Sequence, residues 1–135
     1  MIRLPDWEPR LAEYLAKRHG VHFTWGATDC CLFAADAVIA MTGEDPATAF
    51  RGRYTTARGA TRALKRYGAG TIEATLDTMF GQIRTAFARR GDLVMCAGMV
   101  GICVGGAALF VGEENGAPGL VRFDRSAWAQ AWAVG

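Results

Sequence analysis

Apolar residues recur at helical spacing through the first two-thirds of the chain and in short extended runs through the last third, with the period changing at Gly91. Trp7, Leu11, Tyr14 and Leu15 mark one face between about Asp6 and His19, and Glu8, Arg10, Glu13, Lys17 and Arg18 take the other. This predicts an amphipathic surface helix closed by Gly20. Val21 to Trp25 has the alternating, aromatic character of a short extended segment. Gly26 breaks it, Thr28 and Asp29 offer N-caps, and Leu32, Phe33, Ala35 and Val38 predict a buried helix to about Met41, ending at Thr42-Gly43.

Glu44-Asp45-Pro46-Ala47 reads as a turn, Phe50 as an apolar anchor, and Arg51 to Thr56 as a loop. Ala57 to Tyr67 predicts a helix with Ala60, Leu64 and Tyr67 on one side and Arg58, Arg62, Lys65 and Arg66 on the other. Thr71 starts another, carrying Ile72, Leu76, Met79 and Phe80. After Gly91 the runs 92–96, 100–104, 107–111 and 120–123 are separated by Ala97-Gly98, Gly105-Gly106 and Glu113-Glu114-Asn115-Gly116, which are hairpin-length connections. The expectation is an antiparallel meander, followed by a short helical turn at Asp124 to Trp128 and then Trp132-Ala133-Val134. Helices first and a meander second make an α+β domain, with the thiol helix packed on the strands.

Length changes this picture little: 135 residues suit one domain, 1–135, able to bury a real core. The apolar runs are broken well short of the roughly 20 residues a bilayer requires, and Arg3, Asp6 and Glu8 stand where a signal peptide would be apolar. The expectation is synthesis in a cytoplasm, without a membrane span. A formal net charge of +2, with no groove-reading motif beside the Arg/Lys cluster, speaks against nucleic acid and for a solvated helix face.

The candidate chemistry lies at the start of the thiol helix. Cys30 falls in its first turn, where unpaired N–H groups and the helix dipole favour a thiolate and are able to hold an oxyanion. A buried structural cysteine is the competing reading. The four cysteines, Cys30, Cys31, Cys96 and Cys103, are expected as free thiols in a reducing compartment, and neither they nor His19 and His22 have metal-ligand spacing. No cofactor is expected. Trp128 and Trp132 stand equally as interface anchors or as core residues.

Trp25-Gly26 and Asp29-Cys30 at a helix start, then Gly-Asp-Leu-Val-Met at 91–95 and Gly-Met-Val-Gly-Ile-Cys-Val-Gly at 98–105, resemble the layout of the NlpC-type cell-wall peptidases, compact papain-like cysteine endopeptidases. The chain is similar in particular to small proteins of that type encoded beside tail genes in long-tailed phages, prophages and gene transfer agents, a likeness that extends to Thr42-Gly43-Glu44-Asp45-Pro46. The resemblance implies a papain-like NlpC-type fold, with N-terminal helices packed on a C-terminal antiparallel sheet and Cys30 in the nucleophile's position. It also implies a virion-tail location, and partners among tail-tip or hub proteins, with peptidoglycan as a further candidate.

The resemblance also exposes two gaps. The strand position that carries the family's histidine is Met99, and the group that would orient that imidazole falls near Phe110 or Val111, both apolar. General-base assistance is typically worth about 10²–10⁴-fold, roughly 3 to 5 kcal/mol, so Cys30 with a helix start alone is expected to be a poor peptidase nucleophile. His22, eight residues before it, is the one candidate for a substitute base. Two readings follow: a structural or assembly module of the phage tail tip with a degenerate site, which the gaps favour, or a hydrolase that cuts peptidoglycan stem peptides through Cys30.

Overall fold

A helix with no polar face must be covered on every side, and that requirement sets the architecture. The computed structural model describes residues 1–135 and contains α1 (Trp7–Lys17), α2 (Cys30–Thr42), α3 (Ala57–Tyr67) and α4 (Ile72–Asp77). The strands are β1 (Gly81–Ile83), β2 (Leu93–Cys96), β3 (Met99–Cys103), β4 (Ala107–Glu114), β5 (Ala117–Asp124) and β6 (Gln130–Ala133). They form one antiparallel sheet in the order β1-β6-β2-β3-β4-β5.

α2 is the covered helix. Leu11 and Leu15 of α1 share a core with its Phe33, Ala37, Val38 and Met41, and one face of the sheet closes the same core with Leu93, Met95, Val100, Ile102, Val111 and Trp132. Ala47, from the turn after α2, covers Leu32 and Ala35. Asp36 of α2 pairs with Arg51 at 2.6 Å, and Arg51 also holds Asp45 at 2.7 Å, so the turn is tied back to the helix. The other face of the sheet buries Val94, Cys96, Cys103, Phe110 and Ala131 under Ala88 and Trp128. With both faces covered, β2 and β3 read as continuous apolar runs rather than as alternation.

The α+β arrangement is the expected one, and several elements differ in detail. Val21 to Thr24 pairs with no strand, and Trp25 opens a turn that runs to Thr28, in which the Ala27 and Thr28 N–H groups donate to Thr24 O. α4 stops at Asp77, short of Met79 and Phe80, which begin the turn into β1. β1 and β6 are additional strands; β1 is a three-residue polar edge, and β6 fills the gap between it and β2. The Glu113 to Gly116 connection contracts to Asn115-Gly116, both at positive φ, as a two-residue hairpin requires, so β4 and β5 are each eight residues long. Trp128 and Trp132 are 7 % and 0 % exposed and therefore belong to the core rather than to an interface. Their indole N–H groups are held by Phe123 O and the Asp77 carboxylate.

Gly101 in β3 is a packing requirement. A Cβ there would stand 2.3 Å from Leu109 O and 2.6 Å from the Phe110 ring.

The two chain ends meet at a buried ion pair. Asp92, 1 % exposed, accepts from Arg3 at 2.8 Å, from the Val134 N–H at 3.1 Å and from the Arg89 N–H at 2.8 Å. Arg3 also donates to Val134 O and Arg90 O, and its guanidinium stacks 4.2 Å from the Trp7 ring. Removing one partner of a buried pair leaves the other uncompensated, which costs about 3–5 kcal/mol. Asp92→Ala is therefore expected to lower unfolding free energy by that amount in a denaturant titration, and a loss below about 1 kcal/mol would contradict the role given to the pair.

Candidate functional site

The start of α2 is fixed by one carboxylate. Asp29 is 1 % exposed and is the N-cap: its Oδ1 accepts from the Leu32 N–H at 3.0 Å, and its Oδ2 accepts from the Gly26 N–H at 2.9 Å and from the Tyr54 hydroxyl at 2.6 Å. Each donor comes from a different segment. Gly26 is left-handed, at φ +79°, and presses on Tyr54, whose carbonyl oxygen would lie 2.1 Å from any Cβ placed there. The Trp25-Gly26 turn, the first turn of α2 and the Tyr54 loop are thus locked together. Burial and the bond to Asp29 raise the Tyr54 phenol far above its usual value, so it stays a donor at any physiological pH.

Cys30 and Cys31 follow directly, and both are free thiols, as are Cys96 and Cys103. Cys30 is 9 % exposed. The neighbouring Cys31 thiol donating toward its sulfur, helped by the Val100 and Cys31 main-chain N–H groups, pulls Cys30 down to about 7 against burial and the Asp29 charge. The same contact, with burial, pushes Cys31 up, and burial raises Cys103.

Cys30 and Cys31 face a cavity of about 470 Å³ bounded by α2, α3, α4 and the start of β3. Its wall is apolar: Phe50, Leu64, Leu76 and Met79 contribute, and Phe23 and Trp25, packed edge to face at 4.8 Å, join it while 43 % and 40 % exposed. No Lys, Arg or His lines it, and its one charged residue is Asp29.

Met99 is the first residue of β3, immediately after the Ala97-Gly98 hairpin, and it lines the cavity together with Cys30. Adjacent strand residues face opposite sides of a sheet, so the two candidates for the orienting position separate. Val111 packs in the core of Cys30, whereas Phe110 lies on the other face, and both are buried. His22 and His19 are exposed and are not part of the cavity wall; what His22 offers to the helix start is its carbonyl, which accepts from Thr28 Oγ1. Arg58, Arg62, Lys65 and Arg66 form an exposed face of α3. No group of three or more His, Cys, Asp or Glu residues could hold a metal ion, and no helix is long and apolar enough to cross a membrane.

Sequence reasoning missed Tyr54 and the cavity. No local spacing links positions 54 and 29, and the apolar residues of α3 and α4 read as ordinary core.

Two measurements test this geometry. Alkylation of Cys30 by iodoacetamide is expected to rise with a midpoint near pH 7, since the thiolate forms as pH climbs through the lowered pKa, against about 8.5 for an ordinary cysteine. A midpoint above pH 8, or label falling first on Cys31 or Cys103, would contradict it. Tyr54→Phe removes a donor from a buried carboxylate and is expected to cost about 1.5–3 kcal/mol of stability, read by denaturant midpoint.

The overall geometry has a counterpart among solved structures. The crystal structure of the NlpC/p60 domain of the peptidoglycan hydrolase SagA superposes with a TM-score of 0.57 at 17% identity, covering 93% of this chain and 97% of that one. The fold is therefore the NlpC/p60, papain-like one. No curated protein matches the sequence. A family model described as a domain of unknown function, DUF6950, matches residues 2–134, and the chain belongs to that family.

Proposed function

We propose that this protein is a structural or assembly component of a phage or gene-transfer-agent-like tail tip, built on a cysteine-peptidase fold whose catalytic centre no longer operates. The observation that carries the loss of catalysis is the wall around Cys30: Met99 stands beside the thiol, the two positions near which an orienting group is expected, Phe110 and Val111, are buried and apolar, and no imidazole lines the cavity. A thioether has no basic site to take the thiol proton or to hand it to a leaving amine. The likeness of Trp25-Gly26, Asp29-Cys30 and Thr42 to Pro46 to small proteins encoded beside tail genes supports the tail-tip location and partners among tip or hub proteins. The exposed Phe23 and Trp25 support a docking surface beside the old site.

One observation favours the second reading, an endopeptidase or amidase acting on peptidoglycan stem peptides through Cys30: its thiol is poised near neutral pH at a helix start. Purified protein incubated with peptidoglycan separates the two. No fragments are expected, and Met99→His alone is expected to restore little, because neither Phe110 nor Val111 offers anything to orient the imidazole. Cleavage by wild-type protein that Cys30→Ala abolishes, with the fold intact, would establish the hydrolase instead. In particles, Cys30→Ala is expected to leave assembly and infectivity unchanged, while charged substitutions at Phe23 and Trp25 block assembly.

A further inference from the structure

The cavity beside Cys30 differs from the interior around it in what its polar groups are doing. Asp29 is saturated by three donors, and the Tyr54 hydroxyl is one of them. Thr75 Oγ1 donates to Thr71 O and accepts from the Ala69 N–H, and Thr61 Oγ1 donates to Ala57 O. Of 26 lining residues, 21 are apolar, and none is a cation. A ligand in this space would find no charge to pair with and no spare side-chain donor, so the wall selects a neutral, apolar body; about 470 Å³ lies within the range of small-molecule pockets. Phe50, Leu64, Ile72, Leu76 and Met79 line it while only half-buried, so a hydrocarbon would remove their remaining surface from water.

The reactive atom in that wall is a thiol, and the missing base decides what it can do. Amide cleavage expels an amine that must be given a proton, and nothing in the wall supplies one. A thioester expels a thiolate, which leaves unprotonated. Breakdown of the resulting acyl-protein would need a water activated by a base, and the wall has none either.

We propose that the cavity binds the hydrocarbon chain of an acyl thioester and that Cys30 accepts the acyl group, giving a stable S-acylated protein with its chain lying between α2, α3 and α4. The Cys30 thiolate attacks the thioester carbonyl; one S–C(O) bond forms at Cys30 Sγ, one breaks, and the donor's thiolate departs and takes its proton from water. Nothing is oxidised or reduced. The Cys30 N–H, in the first turn of α2 and not engaged by Asp29, is the donor available to the carbonyl oxygen as it gains charge. The inference rests on the reading that this site lacks a general base.

Full-length protein is incubated at pH 7.5 with acetyl or octanoyl thioesters of a small thiol, and adducts are followed by intact mass and peptide mapping. The expected result is one acyl group, on Cys30, released by neutral hydroxylamine, with the octanoyl rate exceeding the acetyl rate by about ten-fold or more, because buried methylenes favour the longer chain. Ala60→Phe, which narrows the cavity from α3, is expected to lower that ratio, and Cys30→Ser to abolish the adduct. Equal rates for the two chains, acylation spread over Cys31, Cys96 and Cys103, or no adduct would overturn the inference while leaving the absence of peptidase activity untouched. Sustained release of free octanoate would show that a base is present and would overturn both readings.

Discussion

A carboxylate buried without a cation is stable only if hydrogen bonds replace its water, and Asp29 is satisfied in that way by donors from three parts of the chain. Its cap on the Leu32 N–H sets where α2 begins, and so where Cys30 sits relative to β3. Its bond to the Gly26 N–H fixes the turn that presents Phe23 and Trp25. Its bond to Tyr54 draws a polar loop with no regular structure of its own against the thiol, so the loop becomes one wall of the cavity. Losing the carboxylate would release all three segments at once, whereas losing the thiol would release none.

The second constraint is the unbroken apolar surface of α2. α1, the sheet and the Ala47 turn cover most of it at core density, and the side toward α3 and α4 is where coverage fails. Thr56 and Thr71 cap α3 and α4 through bonds to their own first turns, and Asp77 at the end of α4 accepts from the Trp132 indole. The apolar wall of the cavity is a core face left without a partner from the chain itself.

Much of this was legible in the sequence, for reasons that differ from residue to residue. The Asp29 cap, the period change at Gly91 and the Ala97-Gly98 hairpin are local signals, set by chemistry within a few positions, and the structure has them where the pattern puts them. β1 and β6 were not legible, because a strand of three polar-edge residues and one of Gln-Ala-Trp-Ala carry almost no period, and only the pairing of β6 with β2 and of β1 with β6 defines them. Val21 to Trp25 stays outside the sheet, and its aromatic alternation brings the Phe23 and Trp25 rings together edge to face rather than forming a sheet face. The gap at Met99 was visible as a residue type, but that Val111 and not Phe110 shares the thiol's side required the strand's orientation. Tyr54 and the cavity needed contacts between distant segments, which no window of sequence contains.

On the proposed reading, what separates this centre from a working peptidase is its inventory of proton carriers rather than its framework. The helix start, the thiol poised near neutrality and the N–H groups beside it are in place, and each is secured by bonds that make no use of a base. A thioether at the mouth of an apolar cavity suits the fold: Met99 adds apolar contact where a neutral histidine would need a partner. On the proposed reading the thioether also limits which bonds the thiol can exchange. Leaving groups that must be protonated would be refused, while those that depart as anions would not, and a product that only activated water could remove would persist. An apolar wall with every polar group already paired adds the second filter, on the body of the molecule rather than on its reacting bond.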